Sequence, residues 1–224
     1  MENNGILRRY TNLPVLIDVL TRRRLTLISY THWIDVNDRR ALQLYQQVLK
    51  YGFVGAMCLT EAPETFHHWQ IFAGGPAGVS IIFHRDAFEN LFRDRPHFIA
   101  KSVEYVRLAS IRSVEASDIH RLPFLKRSGF ADEREFRLIG YAVEALTELN
   151  IEIASNLIQR VVISPFAHPN LIESIRTTLR SIPGWSRLQI DHSSLINNES
   201  WQEALQEYVS RHGGFYGPWM DFDA

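Results

Sequence analysis

The chain of 224 residues holds a single cysteine, Cys58. One thiol excludes an intramolecular disulfide and any zinc site built on several cysteines. It fits a reducing compartment. Cys58 lies in the apolar run Val54-Gly-Ala-Met-Cys-Leu, which predicts a small core side chain. No apolar run approaches the length of a membrane span. The start, Met-Glu-Asn-Asn-Gly, has none of the features of a signal peptide. These two absences predict a cytoplasmic protein without membrane contact. Charge of one sign is also missing: 24 Lys and Arg face 25 Asp and Glu, for a net charge of −1. The chain is therefore no general polycation for nucleic acid.

The glycine-rich loops that hold phosphates are absent as well. No Gly-x-Gly-x-x-Gly follows a strand and no Gly-x-x-x-x-Gly-Lys-Ser/Thr occurs, so neither a dinucleotide fold of Rossmann type nor a P-loop is signalled. A Gly-x-Ser-x-Gly elbow is missing, which speaks against a serine hydrolase of that class. Nine histidines are scattered without His-Glu-x-x-His or the deaminase pattern, so no metal is expected.

What remains is an ordinary globular composition, 46% hydrophobic and 12% aromatic, sized for one domain. Strands are expected at Leu7–Tyr10, Leu25–Tyr30, Phe53–Leu59, Gly78–Phe83, Ile99–Arg107, Glu133–Ile139, Asn150–Ile153 and Arg160–Ser164, and Leu188–Asp191 is expected to end the regular core. Helices are expected at Leu13–Arg23 with Asn12 as cap, Asn37–Lys50, Thr65–Ala73, Arg85–Arg93, Pro169–Arg180 and Trp201–Arg211. Ser117–Arg127 reads as helix or loop. Phe53–Leu59 and Gly78–Phe83 are continuously apolar, the mark of strands buried on both faces. Short strands and short helices without a regular β-α-β rhythm predict an α+β fold. Residues 1–224 then form one domain, with 195–224 a C-terminal helix and an aromatic tail around Phe215, Tyr216 and Trp219.

The densest signal is Lys126-Arg-Ser-Gly-Phe-Ala-Asp-Glu133-Arg-Glu135-Phe-Arg137. On a strand, a period of two puts Glu133, Glu135 and Arg137 on one face and Phe136 and Leu138 on the other. Strands deplete Glu. Such a row is either a charge ladder at a sheet edge or the floor of a cleft. Asn37-Asp38 reads most simply as a helix cap, and His67-His68 as an exposed helix start. Glu61 and Glu64 near Pro63 read as a polar loop at a helix N-terminus, and Asp191-His192-Ser193-Ser194 as a turn.

Several segments, in order, resemble a large bacterial family of unknown function. They are Arg9-Tyr10-Thr11, Asn37-Asp38, Cys58-Leu59-Thr60, Trp69-Gln70-Ile71-Phe72, Gly78–Phe83 and Lys126–Arg137. The family carries Tyr-Arg-Tyr, Asn-Asp, Trp-x-x-Tyr and Lys-x-x-x-Trp-x-x-Glu-x-Glu-x-Arg at the corresponding places. The match spans roughly residues 8–165. Arg39, Leu59, Phe72 and Phe130 depart from its pattern. The layout also resembles the ADP-ribosyltransferase fold, in particular the DarT-type toxins that modify nucleic acid. That resemblance implies a single domain with a split mixed sheet and flanking short helices. It implies NAD as co-substrate, no metal, RNA or DNA as acceptor, and a neutralising antitoxin protein.

The same resemblance implies roles. Transfer of ADP-ribose passes through an oxocarbenium-like state, which a carboxylate stabilises. Glu135 would be that carboxylate, and Glu133 would orient or deprotonate the acceptor. Arg9, Tyr10 and Thr11 would hold the NAD ribose and amide, Ser29 and Thr31 would support Glu135, and Trp69 would fence the nicotinamide. Arg22-Arg23-Arg24 and Arg39-Arg40 would form a strand-contacting rim. Two other readings stand beside this one. In a non-catalytic interaction module, Glu133, Glu135 and Arg137 are structural and Trp69 is core. In a metal-dependent nuclease, Asp38, Glu133 and Glu135 converge on a cation.

Overall fold

The computed structural model describes residues 5–111 and 118–212. The aromatic tail lies outside them. In chain order the elements are β1 (Ile6–Asn12), α1 (Leu13–Arg22), β2 (Arg24–Ser29), α2 (Val36–Leu49), β3 (Phe53–Thr60), α3 (Phe66–Phe72), β4 (Gly78–His84), α4 (Arg85–Arg93), β5 (Phe98–Ser102) and β6 (Glu104–Val106). After these come β7 (Leu125–Arg127), β8 (Glu135–Ala142), β9 (Glu148–Glu152), β10 (Ile158–Ile163), α5 (Pro169–Ser181), β11 (Ile190–His192) and α6 (Glu199–His212). The result is a mixed α/β domain around one nine-stranded sheet.

Local chemistry sets several of these bounds. Asn12 caps α1, its Oδ1 accepting from the Val15 amide, with Pro14 in the first turn. Arg23 and Lys50 end α1 and α2 in left-handed conformations. The single strand expected over Ile99–Arg107 is two. Val103 donates its amide to the Glu135 carbonyl, and beyond it β6 leaves to pair in parallel with β7 in a second, two-stranded sheet.

The sheet runs β11-β10-β4-β1-β3-β2-β9, with β8 on β3 and β5 on β8. Strand β8 pairs with β3 over its whole length, from Phe53 against Ala142 to Thr60 against Glu135. The other edge of β3 is shared. Strand β2 pairs with it at Gly55 and Ala56, and β1 only through Arg8 at Thr60. Opposite Met57, Cys58 and Leu59 the two strands part, and the sheet forks. Strands β1 and β2 run parallel and are joined by α1, because parallel strands need a crossover. Both lie against β3 rather than on each other.

Strand alternation sorts the core into two faces. Leu7, Met57, Leu59, Val79, Ile81, Phe136 and Leu138 join the large cluster under α1, α4 and α5. On the other face, Val54, Ala56 and Ile139 pack with Tyr30, Leu42 and Tyr45. A separate cluster there joins Tyr10, Trp69, Ile82 and Val162. Between those two apolar clusters, on that same face, stand the polar residues of β3 and β8.

Candidate active site at the fork

Strand β8 begins at Glu135, not at Glu133. Arg134 adopts a left-handed conformation with φ 42°, so Glu133 ends a 3-10 turn over Ser128–Glu133. The expected strand alternation over Glu133 is therefore not what aligns the two glutamates. Two long-range bonds hold the turn: Thr60 Oγ1 donates to the Glu133 carbonyl (2.5 Å), and the Glu61 amide to the Arg134 carbonyl (2.9 Å).

The side chains meet on Lys126. Its Nζ lies 2.5 Å from Glu133 Oε2, 3.0 Å from Glu135 Oε2 and 3.5 Å from Asp38 Oδ2. Arg137 donates from Nε and Nη2 to the Glu135 carboxylate at 2.7 and 2.9 Å, from Nη1 to the Pro123 carbonyl, and from Nη2 to Asp38. Its guanidinium stacks 5.1 Å from the Trp33 ring. Arg137 is wholly buried and Glu135 is 4% exposed. Three carboxylates thus face two cations in a nearly dry site. Burying such charges is tolerated only where each has partners.

Asp38 is not the helix cap expected from the sequence. Asp35 caps α2, its Oδ1 accepting from the Asn37 and Asp38 amides. That frees the Asp38 carboxylate to turn inward.

The two glutamates are tuned apart. Burial alone raises the Glu135 carboxyl, but the charge and hydrogen bonds of Arg137, with Lys126 behind them, bring it down to about 2. Burial raises Glu133, and its single cation Lys126 does not offset burial plus the negative charge of Glu135 and Asp38. Lys126 and Arg137 are both held above their usual range, because the surrounding carboxylates outweigh burial.

Cys58 departs from its expected place. It is open to water between two buried neighbours, Met57 and Leu59, at the point where β1 and β2 separate. In register it stands opposite Arg137. Protein nonetheless rings the sulfur, so desolvation pushes the thiol well up, and the Glu135 carboxylate adds to this. The Arg9 guanidinium is lowered by burial and feels the Cys58 sulfur, and its Nη1 is buried without a hydrogen-bond partner.

The other expected residues fall in two groups, one on β1 and α3 and one at the end of β2. Tyr10 stacks on His68 at 5.3 Å and meets Trp69 edge-on at 5.0 Å. Trp69 is fully buried and donates its Nε1 to Glu64, so it backs Tyr10 and opens no face to a ligand. His68, expected at an exposed helix start, is buried, with Thr65 Oγ1 against its Nδ1. The backbone of Glu133 faces its ring. Thr11 pairs in register with Val79. Ser29 and Thr31 bond to each other, Thr31 Oγ1 donating to Ser29 Oγ at 3.1 Å. They sit at the start of the 3-10 turn Tyr30–His32 that delivers Trp33 to Arg137. Tyr10 and Trp69 are therefore brought together, and Glu135 with Arg137 and Lys126. The two groups connect through His68 and the Glu133 turn.

The three acids named for a nuclease do converge, but on an ammonium. Among the described residues, no group of three or more His, Cys, Asp or Glu is arranged to hold a metal ion. The basic rim is partly spent on local partners: Arg22 pairs with Asp18, Arg24 with Asp18 and Glu148, and Arg40 with Gln43. A hollow of about 420 Å³ lined by Tyr30, Gln47, Lys50 and Tyr51 sits at the opposite end of β3 from Glu135. No helix among the described residues is long and apolar enough to cross a membrane.

No family model matches the chain, and no curated protein matches it. The solved structures remotely similar to the chain include two of one protein. Thermus sp. 2.9 DarT in complex with ADP-ribosylated ssDNA aligns with a TM-score of 0.46 and 10% identity, over 86% of this chain and 95% of that one. Thermus sp. 2.9 DarT in complex with NAD+ aligns with a TM-score of 0.44 and 11% identity, over 84% and 95%. A likeness of this size is one of chain path.

Proposed function

We propose that the chain is an NAD-dependent mono-ADP-ribosyltransferase that seats NAD in the fork between β1 and β2. In this reading it modifies RNA or DNA as a bacterial toxin or phage-defence effector in the cytoplasm, held in check by an antitoxin protein. The observation that carries the proposal is the opposite tuning of two adjacent carboxylates. A pair of titratable groups pushed apart by their surroundings assigns its own roles. Glu135, held ionised by Arg137 and Lys126, suits stabilisation of positive charge developing on the ribose. Glu133, with its proton affinity raised, suits removal of a proton from the acceptor. Arg9, with an unpartnered nitrogen near the open thiol, suits an anionic group of the dinucleotide. Tyr10 and Thr11 lie on β1, one arm of the fork, and Ser29 and Thr31 lie at the end of β2, where that strand closes onto β3. Trp69 contributes by fixing Tyr10. The chemistry uses no metal.

One observation favours a second reading, a non-catalytic interaction module. The buried Glu135 carboxylate already accepts three hydrogen bonds from Arg137 and Lys126, so the cluster braces β8, α2 and β7 without any ligand. Incubating the full chain with NAD labelled in the ADP-ribose, and with DNA, RNA or lysate, separates the two. The enzyme reading predicts nicotinamide release and label transfer by wild type, and loss of both in Glu135→Gln, which keeps the shape of the side chain. A folded wild type that releases no nicotinamide with any pool leaves the module reading. Metal-dependent cleavage of the same nucleic acids on adding Mn²⁺ would point to the nuclease instead.

A further inference from the structure

Lys126, which opens the Glu-x-Glu motif, enters the chemistry above only as a charge that keeps Glu135 ionised, and Asp38, which proves not to be a cap, does not enter it. We propose that Lys126 is the positioning residue of this site, its ammonium fixing where the Glu133 and Glu135 carboxylates stand relative to each other and to Asp38. Arg137 reaches Glu135 and Asp38 but has no contact with Glu133. Among the described residues, Lys126 alone touches all three acids, at 2.5, 3.0 and 3.5 Å. The Phe130 ring covers the ammonium at 4.9 Å, and only 9% of the side chain is exposed.

The groups that face the ammonium come from five directions. Glu133 arrives on the 3-10 turn, Glu135 and Arg137 on β8, Asp38 with the capping Asp35 at the start of α2, Cys58 on β3 and Tyr105 on β6. Glu133 sits on a turn rather than in the ladder, so no sheet register fixes its carboxylate. Without the ammonium, repulsion from Glu135 and Asp38 drives it away toward solvent. The catalytic consequence of Lys126 rests on the proposed transfer reaction; its structural consequence does not.

The test is a carbon-13 carboxyl NMR titration of Glu133 in wild type, Lys126→Met and Lys126→Arg, beside NAD turnover. In Lys126→Met the Glu133 midpoint falls toward the ordinary carboxylate value, because the displaced side chain leaves the burial and the neighbouring charges that raise it, and Lys126→Arg returns it toward wild type. Turnover in Lys126→Met falls about 10²-fold in kcat with KM nearly unchanged, the loss expected for a displaced catalytic group. An unchanged Glu133 midpoint in Lys126→Met overturns the proposal. Should Lys126→Met not fold, Glu133→Gln is read at the Lys126 amine: its titration moves down if the two are coupled, and an unmoved amine overturns the proposal. A shifted Glu133 midpoint in a chain whose wild type turns over no NAD supports the positioning role and removes only the enzymatic reading.

Discussion

Arg137 is the side chain on which the buried charges depend most. It is fully enclosed, and its removal leaves Glu135 and Asp38 facing each other with Lys126 alone between them. Deleting one partner of a buried charge network typically costs about 3–5 kcal/mol, because the orphaned charge stays desolvated. Arg137→Met is therefore expected to lower stability by that amount in urea unfolding, whereas Arg22→Met, on an exposed pair with Asp18, is expected to change it by under about 1 kcal/mol. Equal effects of the two substitutions would contradict the burial argument. Little of this was legible in the sequence. The Glu-x-Glu-x-Arg row was visible, but Asp38 read as a cap because Asn37-Asp38 fits the composition of one. Only the fold shows Asp35 doing that work, 99 positions of chain separating Asp38 from its true partner. Cys58 read as core for a similar reason: an apolar run says nothing about where a neighbouring strand ends.

Local signals served best at the scale of elements. The Asn12 cap and Pro14 marked α1, and Arg85–Arg93 matched α4 at both ends, since caps and periodicity act within a few residues. The fork was not legible from such signals, because it depends on which strands share β3. Its geometry relies on a glycine pair, Gly55 on β3 opposite Gly140 on β8. A Cβ on Gly140 would stand 2.9 Å from Leu27 Cδ2 and 3.0 Å from the Phe98 ring, and one on Gly55 2.7 Å from the Phe53 ring. Leu27 belongs to β2, so these glycines let β2 close onto β3 below the fork. Gly140→Val is expected to cost about 1–3 kcal/mol by overpacking, read as a lowered denaturation midpoint at unchanged slope. A midpoint equal to wild type would show that β2 is not seated as described.

At the scale of the whole molecule, the ion cluster ties stability to pH. The folded Glu135 carboxyl lies at about 2, below its unassociated value of 4.5. A depressed carboxyl contributes stability that is present above the unfolded value and lost as pH falls through the folded one. That contribution is on the order of 3 kcal/mol, and it disappears between about pH 4.5 and 2. Glu133 works the other way: its raised carboxyl weakens the fold above its unfolded value and relieves it on protonation, so part of the acid loss is offset. Lys126, raised, adds stability below 10.5 that fades as pH climbs past its folded value. Unfolding free energy is thus expected to be flat near neutrality and to fall in acid, with a shallower acid slope in Glu135→Gln than in wild type. Identical acid slopes in the two proteins would remove Glu135 from the account.

The single thiol of the chain stands where the proposed function seats NAD, and it would report on that position. Cys58 is open to water at the fork with its thiol raised by burial and by Glu135, so iodoacetamide is expected to label it slowly at neutral pH and faster as pH rises. The most direct measurement is the rate of that labelling, followed by mass spectrometry, with and without NAD. An NAD-filled fork predicts saturable protection of Cys58, absent with an equal concentration of free nicotinamide or inorganic phosphate. A labelling rate that stays constant up to the highest NAD concentration would place the dinucleotide elsewhere or nowhere, and would contradict the proposed site.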